Sequence, residues 1–247
     1  MWWVPYAAVI ALAIVGVWRA KHRHARQREL MHLCHRAGLR FQAIDPFPDT
    51  MWLPFRVFGK GTERGTENVV WDPRDDPADA RVFDHWYVEE GPEDSPGLDR
   101  RHRMTCAAVA LPFSCPRLEI APRTSLEVVV GEDVQLELEA FNRRFRVVAD
   151  DRRFAVAFLD ARMMAALLRL PLGITCAVHE DRMLLWAPEV SAAETVLLLE
   201  VARKLRERVP TVVASLYPPR PLKAPQEDRW LQGHWSPEPT RSQPPAP

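Results

Sequence analysis

The stretch Trp2 to Trp18, WWVPYAAVIALAIVGVW, limits what this chain can be more than any other feature. It has seventeen residues and no charged side chain. As a helix it would extend ~25 Å, close to one crossing of a hydrocarbon core. Only a helix satisfies the backbone of a lone segment inside lipid. Trp2, Trp3 and Trp18 stand at its ends, where indole rings favour the headgroup boundary. Residues 1–18 are therefore expected to be a transmembrane anchor. Arg19, Lys21, Arg23, Arg26 and Arg28 follow at once. Basic residues behind a span stay on the cytoplasmic side. The expectation is a single-pass protein of the cell membrane, with its N-terminus outside and the bulk of the chain cytoplasmic. Trp2, Trp3, Trp18, Arg19, Lys21 and Arg23 would form its membrane interface, with the bilayer and anionic headgroups as partners. A cleaved signal peptide fits less well, because the positive charges lie behind the apolar run instead of before it.

Charge and cysteine usage narrow the remaining classes. Lys+Arg and Asp+Glu both number 33, for a formal net charge of +0. No global basic field exists to recruit nucleic acid, so none is expected as a partner. Cys34, Cys106, Cys115 and Cys176 show no CxxC spacing and read as buried free thiols. Residues 19–40 read as a basic juxtamembrane helix with Leu30, Leu33 and Ala37 at helical spacing. Its His24, His32, His35 and Cys34 match no zinc-finger spacing. Attraction to anionic headgroups is the simpler account.

Residues 41–217 read as a cytosolic α+β domain, a mainly antiparallel sheet packed with a few helices, including a long C-terminal helix. Phe41–Pro54 is broken by three prolines, and its Phe47, Met51 and Trp52 are expected to lie over the domain. Phe55–Phe58 and Val69–Trp71 read as a hairpin around Gly59, Lys60, Gly61 and Gly65. Those glycines fail as a phosphate cradle, because a strand and not a helix follows them. Asp72–Ala80 reads as a solvated acidic turn, since an EF-hand's glycine and closing glutamate are missing. Arg81–Glu90 is a strand rich in aromatic and β-branched residues, with partners expected at Thr105–Leu111 and Leu118–Ile120. Leu126–Val130 and Leu136–Leu138 read as further strands.

The second half is expected to alternate helices with short strands. Asp160 is placed to cap a helix over Ala161–Leu170. Ile174–Val178 and Met183–Trp186 read as a hairpin turning at His179–Arg182. Ser191, with Glu194 three residues on, starts a helix running to about Val209. From Pro218 onward the chain is proline-rich and without periodicity, so residues 218–247 are expected to be disordered.

The run FNRRFRVVADDRRFAVAFLDARMMAALL, followed by a hairpin and a helix ending in RVP, resembles a group of uncharacterised small single-pass membrane proteins of GC-rich bacteria. That resemblance implies an N-terminal hydrophobic segment joined to a domain of this organisation, and no activity. Arg143, Arg144, Arg152 and Arg153 flank a short strand, and such pairs can clamp an anion. No nucleophile elbow, HExxH or short Cys/His signature is present, so no catalytic residue, metal ligand or cofactor is assigned. The function expected is a membrane-anchored, non-catalytic module that binds a protein or a lipid. The alternative is an anion or nucleotide sensor, or an enzyme, built on the Arg143/Arg144/Arg152/Arg153 cluster.

Overall fold

The computed structural model describes residues 23–91, 99–125 and 131–217. Helix α1 covers residues 23–37, and Gly38, at φ +70°, ends it in the left-handed region. Strand β1 (Arg40–Ile44) leads through two 3₁₀ turns, Thr50–Trp52 and Arg56–Gly59, to β2 (Glu63–Trp71), β3 (Ala80–Glu89) and β4 (Arg100–Pro122). Helix α2 (Glu139–Arg144), β5 (Phe145–Ala149), α3 (Arg152–Phe158) and α4 (Ala161–Leu168) follow. Strand β6 (Thr175–Pro188), α5 (Ala192–Glu207) and α6 (Thr211–Leu216) complete the order.

All strand pairs are antiparallel, in the order β1-β2-β3-β4-β5 with β6 also on β4. The 23-residue β4 is the spine of the sheet. Strand β6 runs along one edge of it from Met104 to Ile120. The other edge takes β3 against residues 100–109 and β5 against 118–122. Pro112 and Pro116 lack the N–H that a ladder needs. They fall at 110–117, where neither β3 nor β5 is alongside and the β6 register shifts.

Because side chains alternate across a strand, the sheet builds two cores. One face carries Val82, Val109, Ile120, Val178, Met183 and Leu185, covered by α1, α3, α4 and α5 through Leu30, Phe154, Phe158, Leu167 and Leu199. The opposite face carries Val69, Phe83, Cys106, Ala177, Leu184 and Trp186. No helix covers that face among the described residues. The irregular segment between β1 and β2 does so, through Leu53, Phe55, Val57 and Phe58. All four cysteines are buried and free.

Helix α5 starts as its sequence dictates. Ser191 accepts from the Glu194 N–H at 3.3 Å, and Glu194 accepts from the Ser191 N–H at 2.8 Å. Ser191→Ala should cost about 1 kcal/mol, read as a lower denaturant midpoint at unchanged m-value. Asp160 accepts from the Met163 N–H at 2.7 Å and starts α4 in the same way.

The structure corrects several expectations. Among the described residues no helix is long and apolar enough to cross a membrane. The transmembrane and single-pass reading is therefore unsupported, together with the placement in the cell membrane, N-terminus outside and bulk cytoplasmic. Trp2–Trp18, Arg19 and Lys21 lie outside the described residues, as do Leu126–Val130 and the tail 218–247. Helix α1 is amphipathic and packs on the domain. Leu30 and Cys34 enter the core while His32 and His35 stay exposed, so the thiol and the imidazoles face apart. The long helix expected to close the chain is not the closing element: α5 stops at Glu207 and α6 follows after Pro210.

The remaining corrections concern strands and loops. Phe55–Phe58 is not a strand, because Val57 and Phe58 are buried in succession on a 3₁₀ turn instead of alternating. Trp52 does not cover the domain and is 83% exposed. The hairpin at His179–Arg182 is absent: β6 is one strand, kinked at Glu180 with φ +51°. The acidic loop is not simply solvated. Asp72 is buried between Arg74 at 2.6 Å and Arg203 of α5 at 3.4 Å, and the Arg74 hydrogen bond leads in holding its carboxyl well below the usual carboxylate range.

Candidate functional site

A cavity of about 430 Å³ opens between the irregular segment and the β4–β6 ladder. The segment supplies Pro54, Phe55, Arg56, Val57, Gly59 and Lys60. Strand β4 supplies Arg117 and Glu119, and β6 supplies Ala177, Val178, His179 and Trp186. Register explains the floor. Glu119 lies opposite Ala177, and Arg117 and His179 stand two residues along on the same face. The double register shift near Cys115 moves this face's positions from even to odd numbers, turning Arg117 and Glu119 toward the cavity.

The segment over the cavity is tied at both ends. At its start Asp45 accepts from the Phe47 N–H at 2.8 Å and from the Thr66 hydroxyl. Asp49 pairs with buried Arg81 at 3.0 Å, and that guanidinium lies 5.2 Å from the Phe47 ring centroid. At its end Thr62 N–H donates to the Val88 carbonyl at 3.1 Å. Gly61, at φ +73°, sits so close that a Cβ there would lie 2.5 Å from that same oxygen. In the middle, Phe58 packs edge-on to His85 at 4.9 Å and beside Phe83 at 5.9 Å.

The chemistry of the lining is mixed. Phe55, Val57, Ala177 and Trp186 are buried apolar walls. Arg56, Lys60 and Arg117 bring cationic groups, and the carboxylate Glu119 is held by Arg117 at 2.8 Å. His179 presents a buried Nδ1 that makes no hydrogen bond.

His85 lies beneath the segment with no exposed surface. Its nitrogens are near the backbone of Gly65 and Val57 without completing a hydrogen bond. Burial pushes its pKa down from 6.5 to about 4, against a smaller upward pull from that backbone. The folded state thus resists a proton that the unfolded chain accepts between those values. Stability is fully present above pH 6.5 and falls as pH drops toward 4. The loss attributable to this residue approaches ~3 kcal/mol. Denaturant melts of the parent and His85→Phe chains at pH 7 and pH 4.5 measure it, the variant losing less on acidification.

A second polar cluster lies on the helix face. Asp84, one residue from His85, points the opposite way into α1. Arg26 of α1 grips it with Nε at 3.0 Å and Nη2 at 2.9 Å. Thr105 and Asn68 each donate to the same carboxylate at 2.9 Å. Asn68 sits at the β2 register shift with φ +57°. Arg26 also donates to Thr195 Oγ1 at 3.1 Å and to the Val190 carbonyl, joining α1, the sheet and α5. The cluster is dense and its Asp84 is 1% exposed, so it reads as a structural joint.

The arginines flagged from the sequence are placed apart in role. Arg144 donates to the carbonyls of Leu168 at 2.5 Å, Leu170, and Pro171 at 3.2 Å, closing the end of α4. Arg143 is 71% exposed and meets Glu139 at 3.3 Å. Arg152 and Arg153 are exposed in the first turn of α3, whose cap is Asp151. Asn142 bridges the N–H and carbonyl of Leu136. Arg23 is exposed on α1. Of the glycine-rich stretch, Gly59 and Lys60 reach the cavity. Nothing local in the sequence marks Arg56, Arg117, Glu119 and Trp186 as site residues, because 54–60, 117–119 and 177–186 come together only in the fold. Among the described residues no group of three or more His, Cys, Asp or Glu side chains is placed to hold a metal ion.

Fold and cavity together define an α+β domain: a six-stranded antiparallel sheet, helices on one face and a cavity under an irregular segment on the other. No family model matches the chain, and no curated protein matches it. Among solved structures it is similar to the mycobacterial trehalose monomycolate transport factor A, TtfA, at 14% identity over 79% of this chain and 97% of that one, with a TM-score of 0.53. At that identity the similarity is one of fold.

Proposed function

We propose that this chain is a non-catalytic binding module whose cavity beneath residues 54–60 receives a small amphiphilic molecule. The observation that carries the reading is the cavity itself, about 430 Å³ with apolar walls and a few polar groups, which is the size and lining of small-molecule sites. The similar mycobacterial protein is described as a transport factor, a description that fits binding better than turnover.

The test is a titration of the full chain with octyl glucoside, a neutral amphiphile, below its micelle concentration. The indole N–H resonance of Trp186, assigned through Trp186→Phe, should shift saturably. Ala177→Leu, which fills the floor, should weaken the response at least tenfold. A response confined to exposed Trp52, with Trp186 unmoved, would sink the reading.

The sensor alternative at Arg143, Arg144, Arg152 and Arg153 has less support than a ligand in the cavity. Arg144 already serves three backbone carbonyls and Arg143 meets Glu139, whereas the residues that line one volume are those around the cavity.

A further inference from the structure

We propose that His85 is a proton-operated latch on the segment over the cavity: neutral, it lets residues 54–60 close, and protonated, it lifts them. His85 has no exposed surface, and neither ring nitrogen completes a hydrogen bond. It stands on the cavity face of β3, with Phe83 and Tyr87 two positions to either side. Thr66 of β2 and Met104 of β4 lie opposite it in the ladders. The 3₁₀ turn Arg56–Gly59 closes over the ring, with Phe58 edge-on at 4.9 Å and the Val57 backbone close by.

A buried imidazolium needs an acceptor or water, and the surroundings supply neither. The charge of Arg64 on β2 opposes a proton on the ring. Lys60 of the covering segment and His102 of β4 both lie against the Tyr87 ring. Asp45, at the start of the segment, accepts from the Thr66 hydroxyl and the Phe47 N–H. Arg81, four positions along β3, is engaged by Asp49 at 3.0 Å. Relief must therefore come from hydrating the ring, and the element that yields is the cover. Strands β2 and β4 are laddered to β3 on both sides of His85. The turn at 56–59 instead rests on the sheet by packing of Val57 and Phe58, between ties at Asp45, Asp49 and Thr62. Val57 couples the two regions, since its backbone adjoins His85 and the residue also lines the cavity. Lifting the turn hydrates the imidazole and widens the cavity in one movement. Because burial holds the ring's pKa at about 4 against 6.5 in water, the closed cover is fully favoured above pH 6.5 and loses ground as pH falls toward 4. The latch acts on the cover whatever the cavity receives.

Amide hydrogen exchange on the full chain, corrected for intrinsic rates, reads the opening. From pH 7.5 to pH 5 the opening equilibrium at residues 55–60 should rise about 30-fold, the ratio set by a pKa of 6.5 in the open state and about 4 in the closed one. The rise should be nearly independent of low urea, because a local opening exposes little surface, whereas exchange in the centre of β4 should carry the full urea dependence of global unfolding. His85→Phe, which keeps a ring in place without a titrating group, should abolish the rise at 55–60. The pH and urea series on the parent chain needs no variant and so stands even if the substitution unfolds the protein. Corrected exchange at 55–60 that is unchanged between the two pH values overturns the latch. So does a rise that carries the full urea dependence of global unfolding, or one that His85→Phe retains.

Discussion

Replacing Arg26 by leucine destabilises the domain by about 3–5 kcal/mol, the scale for removing one partner of a buried ion pair. Asp84 is 1% exposed and keeps its carboxylate inside only because Arg26, Asn68 and Thr105 surround it. Without the guanidinium, two neutral donors remain for a buried charge. The Val190 carbonyl and Thr195 hydroxyl also lose their contact, so α1 and α5 loosen together. The double variant Arg26→Leu/Asp84→Leu should recover a large part of the loss, since it removes the stranded charge as well. Urea melts of the single and double variants provide the comparison. A loss below 1 kcal/mol for Arg26→Leu would show that α1 contributes little to the fold.

Phe83→Ala is expected to cost about 3–5 kcal/mol, the range for deleting a fully buried aromatic ring. Phe83 has no exposed surface and lies on the cavity face of β3. Its neighbour is Phe58, 5.9 Å away on the 3₁₀ turn that covers the cavity. The effect should therefore be double. Global stability falls, and residues 54–60 lose an anchor that hydrogen bonds at the segment's two ends do not replace. Hydrogen exchange should quicken in that segment even where denaturant is absent. Phe158→Ala, a ring of the same size in the helix-face core, should cost a similar amount and leave exchange at 54–60 unchanged.

Where signals were short-range, sequence and structure agree residue by residue. Asp160 and Ser191 begin helices because an oxygen at each caps the N–H three positions on. Strand β3 was readable from the run Val82, Phe83, Trp86, Tyr87 and Val88. Errors arose where a local pattern had two meanings. His179–Arg182 is polar and charged like a turn, yet it lies within β6 where that strand kinks past a bulge in β4. Val57 and Phe58 look like strand residues, yet consecutive burial on a single turn needs no alternation. The helix 23–37 looks basic, yet its Arg26 turns inward to a carboxylate 58 positions away.

Composition, caps and apolar periodicity, then, set the starts of α4 and α5, the charge balance and the run of β3, because each depends on neighbours within one or two turns, whereas α3 and α6 carried no signal strong enough to read. Tertiary structure alone decided that β6 lies along β4 from Met104 to Ile120, that an irregular segment covers the second sheet face, and that residues 54–60, 117–119 and 177–186 line one cavity. Strand register and loop closure are settled by contacts between residues tens of positions apart, up to Met104 against Pro188, and no spacing in a linear chain encodes which of those contacts will win.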